Sequence, residues 1–290
     1  MGTSISHLKA RLDGLCAQYD TAAALEKDPL RLVLDYGDSM DREVAAFVAA
    51  HLAYGRVDPM IRAVRGILTP LGTHPAARLR EGSATQLGKE LTRSLGAWTW
   101  RFHTGPDLVA WLLAWKRLDA ESGQGLEAHL LPESGEDPDG ALSRLVQRLR
   151  LELPPSYGTR FSLPDPLEGA ASKRWRMFLR WMVRSEWPDL GLWKQLSAAQ
   201  LVIPLDTHVA RVSRFIGLSR RATPDGKMAR EITESLRRLD PADPLRYDFA
   251  LSHLGILGDC PGIRKHSTCA ECALYSVCRA GSESAARILS

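Results

Sequence analysis

Apolar side chains recur in this sequence at steps of three and four, and almost nowhere at steps of two. Between Asp41 and Tyr54, the residues Val44, Phe47, Val48, His51 and Leu52 fall on one face of a helix. Leu108, Trp111, Leu112, Trp115 and Leu118 make a second stripe, and the run Thr104-Gly105-Pro106-Asp107 ahead of it is rich in helix-opening residues. A chain patterned this way packs helix on helix, because it lacks the alternation from which a half-buried strand is built. We therefore expect an all-α protein with both stripes buried, the tryptophans serving as packing rather than as a base-stacking surface.

Two stretches interrupt the helical pattern. ESGQGLEAHLLPESGEDPDG, from Glu121 to Gly140, combines glycine, proline and acidic residues and is expected to be a flexible excursion. Leu153 to Pro166 carries Pro154, Pro155, Pro164 and Pro166, which should break any helix there. With 290 residues, 44% of them hydrophobic and 25% charged, the chain can bury a substantial core. The expected organisation is one unit, 1–290, made of two helical lobes. A helical lobe spans about 30–150, and about 160–220 carries a hairpin and the helix that follows it. No internal repeat is visible.

The N-terminal stretch is interrupted by His7, Lys9, Arg11 and Asp13, which does not suit a signal peptide, and no apolar run reaches membrane-spanning length. A cytoplasmic, membrane-free protein is expected, in which thiols stay reduced. The balance of 38 Lys plus Arg against 34 Asp plus Glu gives +4, which permits a polyanionic partner without demanding one. Oligomerisation leaves no mark in the sequence, and a monomer is the simplest expectation.

Cys260, Cys269, Cys272 and Cys278 form the pattern C-x8-C-x2-C-x5-C, while Cys16 stands apart as a structural thiol. Four thiols within nineteen residues imply one shared ligand set. Tetrahedral zinc usually uses two short C-x2-C knuckles, and only Cys269 and Cys272 make one here, so a [4Fe-4S] cluster is favoured over zinc, with disulfides behind both.

These cysteines resemble the set that closes endonuclease III and the related adenine glycosylases, where the first inter-cysteine loop is slightly shorter and the other two spacings match. Two further strings carry the same resemblance to the helix-hairpin-helix DNA glycosylases. LDTHVARVSRFIGL, residues 205–218, resembles their VDTHV-x-RV stretch, and its aspartate, their essential acid, corresponds to Asp206. Read from the residues alone, Asp206 follows a proline and precedes a helical apolar pattern, so it is also a helix N-cap. LEGAASK, residues 167–173, aligns without gaps to the hairpin L-P-G-V-G-x-K of endonuclease III and brings Lys173 onto its Schiff-base lysine. Glu168 replaces the proline and Ala171 the second glycine. The interval between Lys173 and Asp206 is longer than in endonuclease III, as in the archaeal 8-oxoguanine glycosylase. The strings AAFVAAHLAYGRV, WRFHTGPDL, KRWRMFLRWMVR and IPLDTHVARVSR also resemble a bacterial family without a settled activity.

The resemblance implies a glycosylase-like fold and a repair enzyme that excises a damaged base from double-stranded DNA, with Lys173 and Asp206 as catalytic residues. Loss of a base builds positive charge on the sugar, which a carboxylate stabilises, and a neutral lysine can attack the same carbon to form a Schiff base. Burial and the neighbouring Arg174 favour a neutral amine. DNA contacts are expected from Gly169, Ala171, Ser172 and Arg174 at the hairpin, from His208, and from Arg264 and Lys265 in the 260–278 loop. The extruded base needs a pocket, for which His51, Tyr54, Trp100 and Phe102 are candidates, although each serves equally well as packing. Two other readings remain open: a non-catalytic nucleic-acid-binding or damage-sensing module, and a zinc-stabilised interaction scaffold.

Overall fold

A computed structural model of the chain describes residues 4–280. The helices that position the site are α1 (Ile5–Tyr19), α2 (Ser39–Leu52), α3 (Val57–Leu68), α4 (Ala84–Leu95), α5 (Gly105–Ser122), α6 (Pro138–Glu152), α7 (Tyr157–Ser162), α8 (Lys173–Val183), α9 (Thr207–Phe215), α10 (Gly226–Arg237) and α11 (Asp248–Ile256). Among the described residues the strands are limited to β1 (Thr99–Trp100) and β2 (His103–Thr104), a two-residue antiparallel ladder with Trp100 opposite His103. The fold is all-α, as the periodicity required.

Local signals account for several helix ends. Asp107 Oδ2 accepts from Thr104 N at 2.8 Å and from Thr104 Oγ1 at 2.9 Å, which starts α5 where the opening residues stand. Both expected stripes are buried, with Trp115 and Leu112 wholly enclosed and Trp111 nearly so. α2 packs on α8, α9 on α11, and α4 on α5. One apolar core connects residues from Leu12 in α1 to Val277 near the end of the described chain.

Two expectations need correction. The 121–140 stretch is not a free excursion. Its Leu126 and Leu130 are buried, a 3-10 turn covers Glu127–Leu130, and Leu126 N donates to Glu43 Oε1 at 2.9 Å. Two leucines among the glycines supply enough apolar area to anchor it. The four prolines do not prevent a helix either: α7 fits between the two pairs, capped where Thr159 N donates to Ser156 Oγ at 3.0 Å.

Candidate active site

Lys173 is the first residue of α8 and Asp206 the residue before α9. Packing brings these two helix starts together, so that Lys173 Nζ lies 3.2 Å from Asp206 Oδ2. The two oxygens of Asp206 have separate partners. Oδ1 accepts from Val209 N at 2.8 Å and caps α9, which leaves Oδ2 for the lysine. The lysine side chain is 34% exposed and the aspartate 14%, so the pair is shielded yet open to a ligand.

The pair lines a cleft of about 740 Å³. Its walls come from five places in the sequence: Lys27, Asp28 and Pro29; Tyr54 to Val57 and Met60; Arg174, Met177 and Arg180 from α8; His208 from α9; and Asp248, Ser252 and Ile256 from α11. The floor is strongly ionic. Arg180 Nε lies 3.1 Å from Asp189 Oδ1, and its Nη1 pairs with Asp248 Oδ2. Burial works against the Arg180 charge, but Asp189 and Asp248 more than offset it. Burial pushes the Asp248 carboxyl up to about 6, even with Arg180 acting in the opposite direction. One turn further along, Arg184 joins Asp189 and Asp243, with Nη2 2.8 Å from Asp243 Oδ2.

The 163–172 loop before α8 is held both from within and by the start of α10. Leu167 N donates to Asp165 Oδ1 at 2.9 Å, and Gly226 N, at the start of α10, donates to the Gly169 carbonyl at 2.9 Å. A Cβ on Gly226 would stand 2.7 Å from the Ala170 carbonyl oxygen, so this approach requires glycine. Glu168 is exposed and meets Arg150 at 2.7 Å, which explains how the departure from proline is accommodated.

The expected DNA contacts divide. Gly169 and Ala171 are half-buried on the 163–172 loop, and a Cβ at Gly169 would meet open space. Ser172 is not available through its side chain: it is buried with φ +47, and its hydroxyl donates to the Pro164 carbonyl at 3.0 Å. Arg174 turns inward. Its guanidinium lies 3.9 Å from the Phe161 ring centroid and donates to the Phe161 carbonyl, and burial without a carboxylate partner holds it down at about 10. His208 lines the cleft with its ring against Gly255. Arg264 and Lys265 are exposed on the cysteine loop, away from the cleft, with Arg264 over the Tyr275 ring at 4.4 Å.

The four candidate pocket residues also separate. His51 is core: it is 4% exposed, packs 4.4 Å from Trp175 and gives Nδ1 to the Phe47 carbonyl at 2.8 Å, and burial holds it neutral at about 3. Tyr54 does line the cleft, and its hydroxyl is held by His103 Nδ1 at 2.5 Å and the Trp100 carbonyl at 3.0 Å. Trp100 and Phe102 belong to the β1–β2 hairpin beside it. Phe102 stacks on Tyr54 at 5.7 Å and is 37% exposed, outside the cleft rather than in it. Arg101 takes φ +49 at the hairpin tip, where glycine is the usual residue.

Sequence reasoning missed Asp28, Arg180 and Asp248. Arg180 left a trace: Arg176, Arg180 and Arg184 recur every four residues in an apolar helix, which is the signature of a buried charged face. Asp28 and Asp248 left none.

Cys260, Cys269, Cys272 and Cys278 are unpaired and line one apolar cavity with Val212, Phe215, Ile216 and Leu254. Lys265 N donates to Cys269 Sγ at 3.4 Å, and burial pushes the thiols of Cys272 and Cys278 up. Among the described residues no group of three or more His, Cys, Asp or Glu converges closely enough to hold a metal ion. Cys16 lies elsewhere, buried, with its thiol pushed up to about 12 by desolvation.

The arrangement defines an all-helical protein with a lysine–aspartate pair at the mouth of an ionic cleft. The chain belongs to the family described as Protein of unknown function (DUF2400), whose model matches residues 28–257. That span includes Lys173, Asp206 and every residue lining the cleft except Lys27, and ends before the four clustered cysteines. Neither the curated proteins nor the solved structures contain a match. Among the described residues, no helix is long and apolar enough to cross a membrane.

Proposed function

We propose that this protein is a base-excision DNA glycosylase with an associated abasic-site lyase activity, built on a helix-hairpin-helix unit formed by α7, the 163–172 loop and α8. One observation carries the reading: Lys173 Nζ and Asp206 Oδ2, 33 positions apart in sequence, lie 3.2 Å apart at the opening of a cleft. Lys27, Arg56, Lys173 and Arg174 among the lining residues suit a phosphate-bearing ligand, and the cleft is large enough for an extruded nucleotide.

In this reading the Asp206 carboxylate takes up the proton that the lysine must surrender before it attacks. The Lys173 nitrogen bonds to C1′ as the bond to the base breaks, and the electron pair of that bond leaves with the base. Once that proton has passed on to solvent, the Asp206 carboxylate faces the positive charge that grows on the sugar, and it acts at short range in a partly water-excluded site. The C1′–O4′ bond of this adduct then breaks as the nitrogen loses its second proton and O4′ gains one, giving an open-chain imine; the imine acidifies the C2′ proton, and loss of that proton expels the 3′ phosphate by β-elimination. Damaged bases are the fitting substrates because unstacking costs least where pairing is already weakened. An oxidised base is one such lesion.

Cys260, Cys269, Cys272 and Cys278 would hold a [4Fe-4S] cluster. A cubane keeps its thiolates apart by its own width, whereas a single tetrahedral ion draws them together. That the four thiols line one apolar cavity supports a shared ligand set. Such a cluster would cross-link the loop and hold Arg264 and Lys265 outward, toward the phosphate backbone. Iron and sulfide analysis of the purified protein, with Cys272→Ala as control, tests this part. The activity would operate in the cytoplasm at the chromosome.

The hairpin's departures at Glu168 and Ala171, with Ser172 turned inward, favour as a second reading a module that binds nucleic acid without cleaving it. One experiment separates the two. Purified protein is incubated with duplexes bearing 8-oxoguanine, an oxidised pyrimidine, hypoxanthine or an abasic site, and borohydride is added. A covalent complex that disappears in Lys173→Ala supports the enzyme. Duplex binding without trapping on every substrate supports the binding module.

A further inference from the structure

A ladder of aromatic rings leaves the cleft and ends in solvent. Tyr54 lines the cleft, and Phe102 stacks on it at 5.7 Å with the ring planes 10° apart. Phe161 closes edge-on against both, at 5.0 Å from Tyr54 and 4.8 Å from Phe102. Tyr157 is the outermost ring, edge-on to Phe102 at 5.3 Å and nearly parallel to Phe161 at 6.5 Å. Exposure rises along the ladder: Tyr54 and Phe161 are half-buried, Phe102 is 37% exposed and Tyr157 62%. Single exposed aromatics are ordinary, but rings in mutual contact that run on from a cleft offer a continuous flat surface to a ligand.

Three segments fix that surface. The β1–β2 hairpin turns at Arg101 with φ +49, a conformation that a side-chain-bearing residue keeps only where its surroundings hold it. Gly55, with φ +91, makes room on one side, since a Cβ there would stand 3.2 Å from both Arg101 Cδ and Trp100 Cζ2. On the other side a Cβ on Gly158 would stand 2.5 Å from the Phe102 carbonyl oxygen, so α7 closes on the hairpin only with glycine. Rings held in this way have little conformational freedom left to lose when a ligand stacks on them.

The charge along this edge is of one sign. The Arg101 guanidinium lies 5.5 Å from the Phe102 ring centroid, and Arg174 lies over Phe161. Among the described residues no carboxylate pairs with Arg56, Arg101 or Arg174. Open π-faces edged by cations without counter-charge match a nucleobase on its phosphate chain, whereas an apolar peptide would leave the cations unmatched. A fully paired duplex keeps its base faces against one another and has none to offer.

We infer that Tyr157 and Phe102 stack an unpaired base that neighbours the nucleotide held in the cleft, so that the preferred ligand is a strand unpaired around its lesion, in a bubble or a single strand. The inference rests on the reading of the cleft as a nucleotide site. Every base has a π-face, so the surface selects the unpaired state and not the sequence.

The test measures binding by fluorescence anisotropy at one salt concentration. One sequence with a tetrahydrofuran abasic analogue is presented fully paired, in a bubble that unpairs the analogue and its neighbours, and as a single strand. A fourth ligand is the single strand with the analogue at the neighbouring positions as well, which keeps the phosphates and removes the bases. We expect the bubble and the single strand to bind about 10-fold more tightly than the paired form, and the fourth ligand to lose that gain. Tyr157→Ala should weaken the bubble and the single strand about 10-fold and leave the fourth ligand where it was, while Tyr157→Phe retains full affinity. Equal or tighter binding to the fully paired form overturns the inference, and so does a Tyr157→Ala loss of the same size on the ligand without neighbouring bases. A wild-type protein that shows the expected pattern but is trapped by borohydride on no lesion keeps the stacking surface and overturns the glycosylase reading alone. Trapping without any preference for unpaired strands does the reverse.

Discussion

The two ends of α8 treat positive charge in opposite ways. Deep in the protein, Arg176 meets Asp139 at 3.0 Å, Arg180 meets Asp189 and Asp248, and Arg184 meets Asp189 and Asp243, with every arginine side chain at most 3% exposed. At the first turn, Lys173 has a single carboxylate at 3.2 Å and Arg174 has aromatic rings in place of a carboxylate. Buried charges paired with carboxylates in this way hold helices in place and are costly to disturb. Sparsely matched charges beside a cleft retain capacity for a ligand. One helix thus carries a brace at one end and, at the other, the lysine proposed to react.

The largest effect we expect is at the reactive end. Lys173→Ala should abolish borohydride trapping altogether, and Asp206→Asn should slow base release by about 10²–10³-fold. Asn still caps α9, so the thermal unfolding midpoint of Asp206→Asn should match the wild type. A parallel fall in both activity and midpoint would show that Asp206 is a brace as well.

Next in size is the brace itself. Asp189 is wholly buried between Arg180 and Arg184. Asp189→Ala should cost roughly 3–5 kcal/mol in urea unfolding, because it leaves each of two buried guanidinium groups with one carboxylate in place of two. Arg174→Met, by contrast, should change unfolding by less than about 1.5 kcal/mol while weakening duplex binding. If Arg174→Met destabilises as much as Asp189→Ala, the distinction between the two ends fails.

Glu43 sharpens the comparison, because it is a buried carboxylate held by N–H donors in place of cations. Its oxygens accept from Trp115 Nε1 at 3.0 Å, Leu126 N at 2.9 Å and Trp193 Nε1 at 2.8 Å. Burial nevertheless pushes it from 4.5 up to about 7. The folded state then holds this proton more tightly than the unfolded chain does. The associated stability is complete below pH 4.5 and is lost as pH rises to about 7, a change of up to roughly 3 kcal/mol. Urea unfolding at pH 4.5 and 7.5 should show that decline in the wild type and a flatter profile in Glu43→Gln. The smallest effect belongs to the surface pair of Arg150 and Glu168, where Glu168→Ala should leave the unfolding midpoint where it is.

Much of the site was legible because its two central residues sit inside local motifs. Lys173 follows the hairpin and Asp206 caps a helix, and both signals lie within a few residues of the side chain concerned. Arg174 and Ser172 were legible as hairpin neighbours but not in direction. Arg174 points at Phe161, thirteen positions back across the proline-rich loop, and nothing near it in sequence announces that contact. Asp28 and Asp248 were invisible for the same reason: their neighbours in the cleft come from segments far away along the chain.

Helix positions, the start of α5 at Thr104 and Asp107, the cap on α9 and the burial of both apolar stripes were determined by the sequence alone. Each of these depends on interactions between residues three or four apart, which the order of side chains already specifies. Tertiary structure decided the 3.2 Å approach of Lys173 to Asp206, the facing of His253 and Asp28, and the anchoring of Leu126 to Glu43. Those contacts span 33 to 225 positions, and they exist only once the apolar faces have packed and set which polar groups are left to meet in the interior.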